Sequence, residues 1–249
     1  MYTFEKKSNN YDFWSEWSDI TEIEQRAIES VQKARELIIN SVPAETLVAI
    51  YIKGSFVRRE MKQGSDIDIV PIVNDDKYQK DIFLINTQNI DPAIVVPLSL
   101  SEFKNNKLHT KSEFQPDLRA KPDRLLKKLD QCRLIYGDPL TIEDYPIRTD
   151  PEVLRDEINT MQKGYIPLYQ KGKIFFEPLL KEVFWLTEVE LNIAGIEVQH
   201  SFFDIANAVK DPSHIIHEAY QFRKNTKREG QAEFIENLLN YLKKYEQTK

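Results

Sequence analysis

Cysteine is nearly absent from this 249-residue chain. The lone thiol, Cys132, excludes an intramolecular disulfide and fits a reducing cytoplasm. No apolar run approaches the roughly 20 residues that span a bilayer, which argues against a membrane protein. The opening residues, MYTFEKKSNNYDFW, lack the apolar stretch of a signal peptide. A cytoplasmic location is the expectation. Net positive charge is lacking too: 34 Lys and Arg stand against 40 Asp and Glu, a net charge of -6. That balance disfavours broad nonspecific nucleic-acid binding, though not a local basic groove, and suits cationic small substrates better. Repeats and low-complexity tracts are missing. What is present is ordinary for a globular chain: 41% hydrophobic and 30% charged residues, with a mean hydropathy of -0.51. The length suits one large domain or two small ones with a real core.

Periodicity divides the chain. Apolar residues at Ile20, Ile23, Ala27, Val31, Ala34 and Ile38 have helical spacing, with Asp19 as N-cap and Pro43 closing the segment. Thr46–Ile52 (TLVAIYI) and Asp66–Val73 (DIDIVPIV) read as strands, the second with Pro71 marking an edge or a bulge. Between them, SFVRREMK suits a short helix ended by Gly64. Asp76–Asn86 suits a helix, Ala93–Leu100 a third strand, and Pro122–Ile135 an amphipathic helix. Beyond about Asp150 helical patterns take over: Pro151–Gln170, Ile174–Ala194, Ser201–Val209, Ser213–Asn225 and Gln231–Tyr245. The expectation is an α/β domain with a small mixed sheet over residues 1–145 and a helical bundle over 146–249. A cleft between two such domains is a natural ligand site.

One stretch carries chemistry. Residues 53–70 read KGSFVRREMKQGSDIDIV. Asp66 and Asp68 lie two apart in a strand, so both point to one face, while Ile67, Ile69 and Ile72 serve the core. Adjacent carboxylates repel unless a cation sits between them. Mg²⁺ prefers oxygen ligands, and takes few protein carboxylates plus phosphate oxygens. Gly54 lets a phosphate approach the backbone, amides after Ser55 face an anion, and Arg58 adds positive charge. Each piece alone is common. The ordered set of strand, Gly-Ser, short helix, Ser-Asp-x-Asp on a strand and an acid before a third strand is specific.

This arrangement resembles the nucleotidyltransferases of the DNA polymerase β superfamily. The resemblance implies that Asp66 and Asp68 bind Mg²⁺ and that Ser55 and Ser65 contact the triphosphate of ATP. The third acid of the family usually lies on the neighbouring strand. Asp91, before AIVV, would fill that role as general base, metal ligand or both; Pro92 beside it is a departure, and capping a turn is the alternative for Asp91. Over most of the chain the sequence is similar, at low identity, to aminoglycoside adenylyltransferases of the streptomycin/spectinomycin type. EFQPDLRA (Glu113–Ala120) resembles their interdomain loop, and RLIYGDPL (Arg133–Leu140) their domain junction. SFFDIANAV (Ser201–Val209) resembles the helix whose acid holds the drug's amines, which makes Asp204 an acceptor contact. Streptomycin-modifying members carry tryptophan where Phe114 stands and an acid where His200 stands. Those departures favour spectinomycin or another hydroxylated amine.

Other features have plainer readings. His214 and His217 lack a third ligand nearby and read as a solvated or packed pair. The basic run LRAKPDRLLKKLDQCR reads as a solvated helix face. Arg223 and Lys224 are weaker candidates for closing over phosphates. YDFWSEW (Tyr11–Trp17) reads as an aromatic plug, and Cys132 as a buried apolar residue. Two functions follow. The first is Mg²⁺-dependent transfer of AMP from ATP to a hydroxyl of a small cationic acceptor, or by fold analogy to a protein or tRNA. The second is a nucleotide-binding module without turnover.

Overall fold

The computed structural model describes residues 11–109, 117–198, 201–225 and 229–245. The chain divides into two compact units, Met1–Ile147 and Arg148–Lys249. As the sequence implies, a mixed sheet with helices is followed by an all-helical unit. Among the described residues no helix is long and apolar enough to cross a membrane.

The first unit begins with an aromatic segment and helix α1 (Glu22–Ser41). The helix starts at Thr21 rather than Asp19, which instead sits at a φ of 53°. Thr21 and Glu24 form a reciprocal capping box, the Thr-x-x-Glu signature that satisfies two otherwise orphaned amides. Strand β1 (Leu47–Lys53) pairs antiparallel with β2 (Ile67–Val73) and with β5 (Arg133–Gly137). β2 pairs in parallel with β3 (Ala93–Val95) and β4 (Leu98–Ser99), giving the order β3-β2-β1-β5 with β4 following β3 alongside β2.

Both faces of this sheet are covered, so its central strands are apolar on both sides. Ala27, Val31, Ala34 and Ile38 of α1 pack on Ile50, Ile52, Ile67 and Ile69. On the other face Ala49, Tyr51, Val70, Ile72 and Leu98 pack on Phe103, Leu125 and Leu126. Those last three come from α3 (Leu100–Asn105) and α4 (Pro122–Leu126). Ile72 therefore belongs to the face of the acids, not to that of Ile67 and Ile69. Gly137 closes β5 at a φ of 81°, and a Cβ there would meet the Val48 carbonyl oxygen at 2.0 Å. Glycine is required on both grounds.

Several sequence expectations need correction. Pro71 lies in an interior strand, not at an edge, opposite the gap between β3 and β4, so its missing N–H falls where the partner strand is interrupted; the expected irregularity is close by, a register shift in β1 between Leu47 and Ala49. Val96-Pro97 breaks the expected third strand in two. The expected helix over Pro122–Ile135 stops at Leu126, and the chain enters β5 at Arg133. Asp76–Thr87 is helical in three pieces around α2 (Gln79–Phe83).

SFVRREMK forms a series of turns, not a helix. Phe56 is fully buried and anchors it, meeting the rings of Phe13, Trp14 and Trp17 at centroid distances of 5.8, 5.9 and 5.3 Å. Burying such a side chain contributes about 1.5–3 kcal/mol. Arg59, at a φ of 57°, ends the turns and reaches back to α1. Its guanidinium donates to Glu24 at 2.8 and 3.2 Å and to the Ser18 carbonyl at 3.0 Å.

Those Arg59 hydrogen bonds hold the buried Glu24 carboxyl down to about 2, against the upward push of burial. A depressed carboxyl stabilises the fold above its unfolded value, and the gain disappears as pH falls through the folded value. Arg59→Gln should therefore lower the melting temperature at pH 7. The gap to wild type should narrow from about pH 4.5 towards pH 2. Paired melts across that range are the check; a gap independent of pH would remove the ion pair as its cause.

The second unit runs through α5 (Asp150–Thr160), a wider turn at Met161–Tyr165, and α6 (Ile166–Gln170). Helix α7 (Phe176–Ile193) buries Leu179, Leu180, Val183, Phe184 and Leu186. Helices α8 (Phe202–Ala208), α9 (Ile215–Lys224) and α10 (Gln231–Lys243) complete the unit. Glu190 of α7 accepts from the Tyr241 and Tyr245 hydroxyls, and its other oxygen lies 3.1 Å from His214. Burial first, and then the Glu190 charge, push both tyrosines above their ordinary range, so they remain protonated donors.

Candidate nucleotide site

Strand register builds the site. Lys53, the last residue of β1, pairs with Asp68, so the Gly54–Ser55 turn leaves β1 beside the start of β2. Ile67 and Ile69 of β2 are fully buried, while Asp68 between them and Asp66 just before the strand are half-exposed, the alternation that an extended, pleated backbone imposes. Both carboxylates thus share one face. Asp68 accepts from the Lys53 ammonium at 2.9 Å. Gly54 has a φ of 94° and no heavy atom within 4 Å of where a Cβ would be. Its backbone is open to a ligand.

The Ser55 carbonyl accepts from the Glu60 N–H at 2.8 Å, which holds the turn closed. The Ser65 hydroxyl accepts from the Lys62 N–H at 3.0 Å and places Ser65 directly before the acids. Arg58 is turned to Glu60, 2.8 Å away. Two half-exposed carboxylates, one just before β2 and one within it, beside a glycine with open space at its Cβ position, are a donor set that fits a hard divalent cation sharing phosphate oxygens. Among the described residues no group of three or more His, Cys, Asp and Glu side chains converges as a metal cage. Asp66 and Asp68 are therefore the metal-binding candidates, with the rest of the shell left to phosphate and water.

A cavity of about 610 Å³ opens at the β3 edge of the first unit. Ser65, Asp66 and Asp91 line it; Gly54, Ser55, Arg58 and Asp68 do not. Its apolar wall includes Ile23, Met61, Phe83 and Ile94, and its cations are Arg26 and Lys62. Asp91 precedes β3 in a turn that α1 holds from one side. Arg26 bonds the Asp91 carboxylate. The Ser30 hydroxyl donates to the Ile90 carbonyl and accepts from the Ala93 N–H at 3.1 Å. Lys33 donates to the Asn89 carbonyl at 3.0 Å. Residues 26, 30 and 33 fall on one helix face, so one stripe of α1 sets where Asp91 stands.

Sequence reasoning did not single out this stripe. Its residues flank the apolar face of the helix. It also did not foresee the residue that accompanies Asp68 across the sheet. The parallel register pairs Asp68 with Ile94, which is apolar and 41% exposed. The acid nearest that position is Asp91, three residues upstream of Ile94 and before the strand.

The remaining candidates lie in different settings. Phe114 and His200 fall outside the described residues. Asp204 is in the first turn of α8; its N–H donates to the Ser201 hydroxyl at 3.0 Å, and one carboxylate oxygen takes the Ser201 O–H. The His214 ring bonds Glu190 and Tyr241, whereas the His217 ring meets the Asp211 carbonyl at 2.9 Å, so the two rings turn to different partners. The Arg223 guanidinium lies 4.4 Å from the centre of the Phe202 ring. Burial pushes the Cys132 thiol up to about 11, which leaves it inert at neutral pH.

Residues 31–133 match the model of the nucleotidyltransferase domain family, a span from within α1 to the first residue of β5. Residues 31–133 thus carry a nucleotidyltransferase domain. Among solved structures it is similar to spectinomycin adenyltransferase AAD(9) from Enterococcus faecialis, crystallised with ATP and spectinomycin. The identity is 18% and the TM-score 0.57, over 86% of this chain and 97% of that one. At that identity the likeness is one of fold. No curated protein matches the sequence.

Proposed function

We propose that the protein transfers AMP from ATP to a hydroxyl of a small cationic acceptor, an aminocyclitol such as spectinomycin before streptomycin. Antibiotic modification in the cytoplasm follows from that acceptor class. The observation that carries the reading is the half-exposed pair Asp66, just before β2, and Asp68, within it, with Asp68 set beside the Gly54–Ser55 turn by the Lys53–Asp68 register. Asp66 and Asp68 would hold Mg²⁺, which when bound neutralises phosphate charge as pyrophosphate departs. Ser55, Ser65 and the amides of the turn would hold the triphosphate. Asp91 would take the proton of the acceptor hydroxyl. The acceptor oxygen then bonds to the α-phosphorus as the bond to pyrophosphate breaks. Holding the two reactants in line supplies much of the acceleration.

A second reading has its own support. Ile94 beside Asp68 and the Arg26 clamp on Asp91 suit a nucleotide-binding module without turnover. One experiment separates them. Labelled ATP, Mg²⁺ and a panel of aminocyclitols, aminoglycosides and tRNA are incubated with the protein, and AMP transfer and pyrophosphate are followed. The proposal expects both products with an aminocyclitol. ATP binding with no product across the panel would support the second reading instead.

A further inference from the structure

We propose that Arg26 is a nucleotide-phosphate ligand that rests on Asp91 until ATP arrives, so that binding ATP uncovers the base. The inference rests on the nucleotidyl-transfer reading above. Arg26 projects from α1 into the cavity that Ser65, Asp66 and Asp91 also line. Its guanidinium is 64% exposed and the Asp91 carboxylate 70% exposed, so the pair sits at the mouth and not in the core. An ion pair this exposed is weak and screened. A triphosphate brings several negative charges and planar oxygen pairs that a guanidinium grips bidentately. Ser65 is the proposed phosphate contact that also lines this cavity, and a triphosphate reaching in past it outcompetes a single carboxylate.

The two partners respond differently to such a competitor. Asp91 belongs to a turn fixed to α1 by Ser30 and Lys33, so it stays when the pair opens. Arg26 is a long side chain on a helix and is free to swing. Leaving Asp91, it carries away the charge that occupies that carboxylate. Asp91 is then open to accept a hydroxyl proton, and only with nucleotide already bound. Arg26 therefore couples the two substrates and favours ATP as the first to bind.

Calorimetry with α,β-methylene-ATP and Mg²⁺ tests this on the full chain without turnover. Arg26→Gln should weaken binding about tenfold to a hundredfold. Arg26→Lys, which keeps the charge and loses the fork, should recover part of that loss. Asp91→Asn, which removes the resting partner, should bind the analogue at least as tightly as wild type. Equal affinity of Arg26→Gln and wild type overturns the role of Arg26 and leaves the nucleotide reading standing. Weaker binding by Asp91→Asn overturns the exchange, because Asp91 would then serve the nucleotide itself. No binding by wild type overturns the nucleotide reading and this inference with it.

Discussion

Replacing Asp66 or Asp68 by asparagine is expected to reduce nucleotidyl transfer by about a thousandfold or more while the protein stays folded. Asparagine keeps the shape of the side chain and removes its charge. The two positions are half-exposed, and their neighbours Ile67 and Ile69 carry the packing. Asp68→Asn gives up the ion pair with Lys53, whose side chains are 36% and 40% exposed. A pair of that kind contributes about 0–1 kcal/mol. Asp66→Asn removes like-charge repulsion, so its melting temperature should hold or rise. Activity should vanish because asparagine offers a cation only a neutral oxygen. AMP transfer and a thermal melt on each variant make the comparison. If both variants unfold, the pair is structural and the catalytic reading is wrong.

Asp91→Asn should lower kcat by about a hundred- to ten-thousandfold, the usual range for a positioned general base, and leave ATP affinity intact. The substitution breaks the exposed pair with Arg26 but keeps Ser30 and Lys33 on the turn backbone, so little stability is at stake. Single-turnover rates and ATP binding measured on the same preparation distinguish two roles. A base costs rate alone. A metal ligand costs nucleotide affinity as well, and a parallel fall in both would move Asp91 from the first role to the second.

The parts of the molecule legible in the sequence are those set by short-range pattern. β1 and β2 are short β-branched runs, and their two-residue period matches the half-exposed Asp68 between the buried Ile67 and Ile69. The helices of the second unit follow from apolar spacing. Where the reading failed, distant contacts decided. RLIYG looked like the tail of a helix because the apolar spacing after Pro122 continues into it; pairing with β1 makes it a strand. SFVRREMK has helix-forming residues, yet Phe56 is drawn into the aromatic cluster and Arg59 to Glu24, and both fix turns. Pro71 looked like an edge because the break in its partner strand lies elsewhere in the chain. Arg26 and Asp91 are 65 residues apart, and no local pattern joins them.

The aromatic segment before α1 has an optical consequence. Trp14 and Trp17 are two of the chain's three tryptophans, and both rest on Phe56, the residue directly after Ser55. Arg59, from the same set of turns, lies 4.8 Å from the centre of the Trp17 ring. Two indoles are thus wired to the Gly-Ser turn through one covalent neighbour and one cation. Any rearrangement of that turn alters the surroundings of these fluorophores first, so the loop carries its own emission probe and needs no dye.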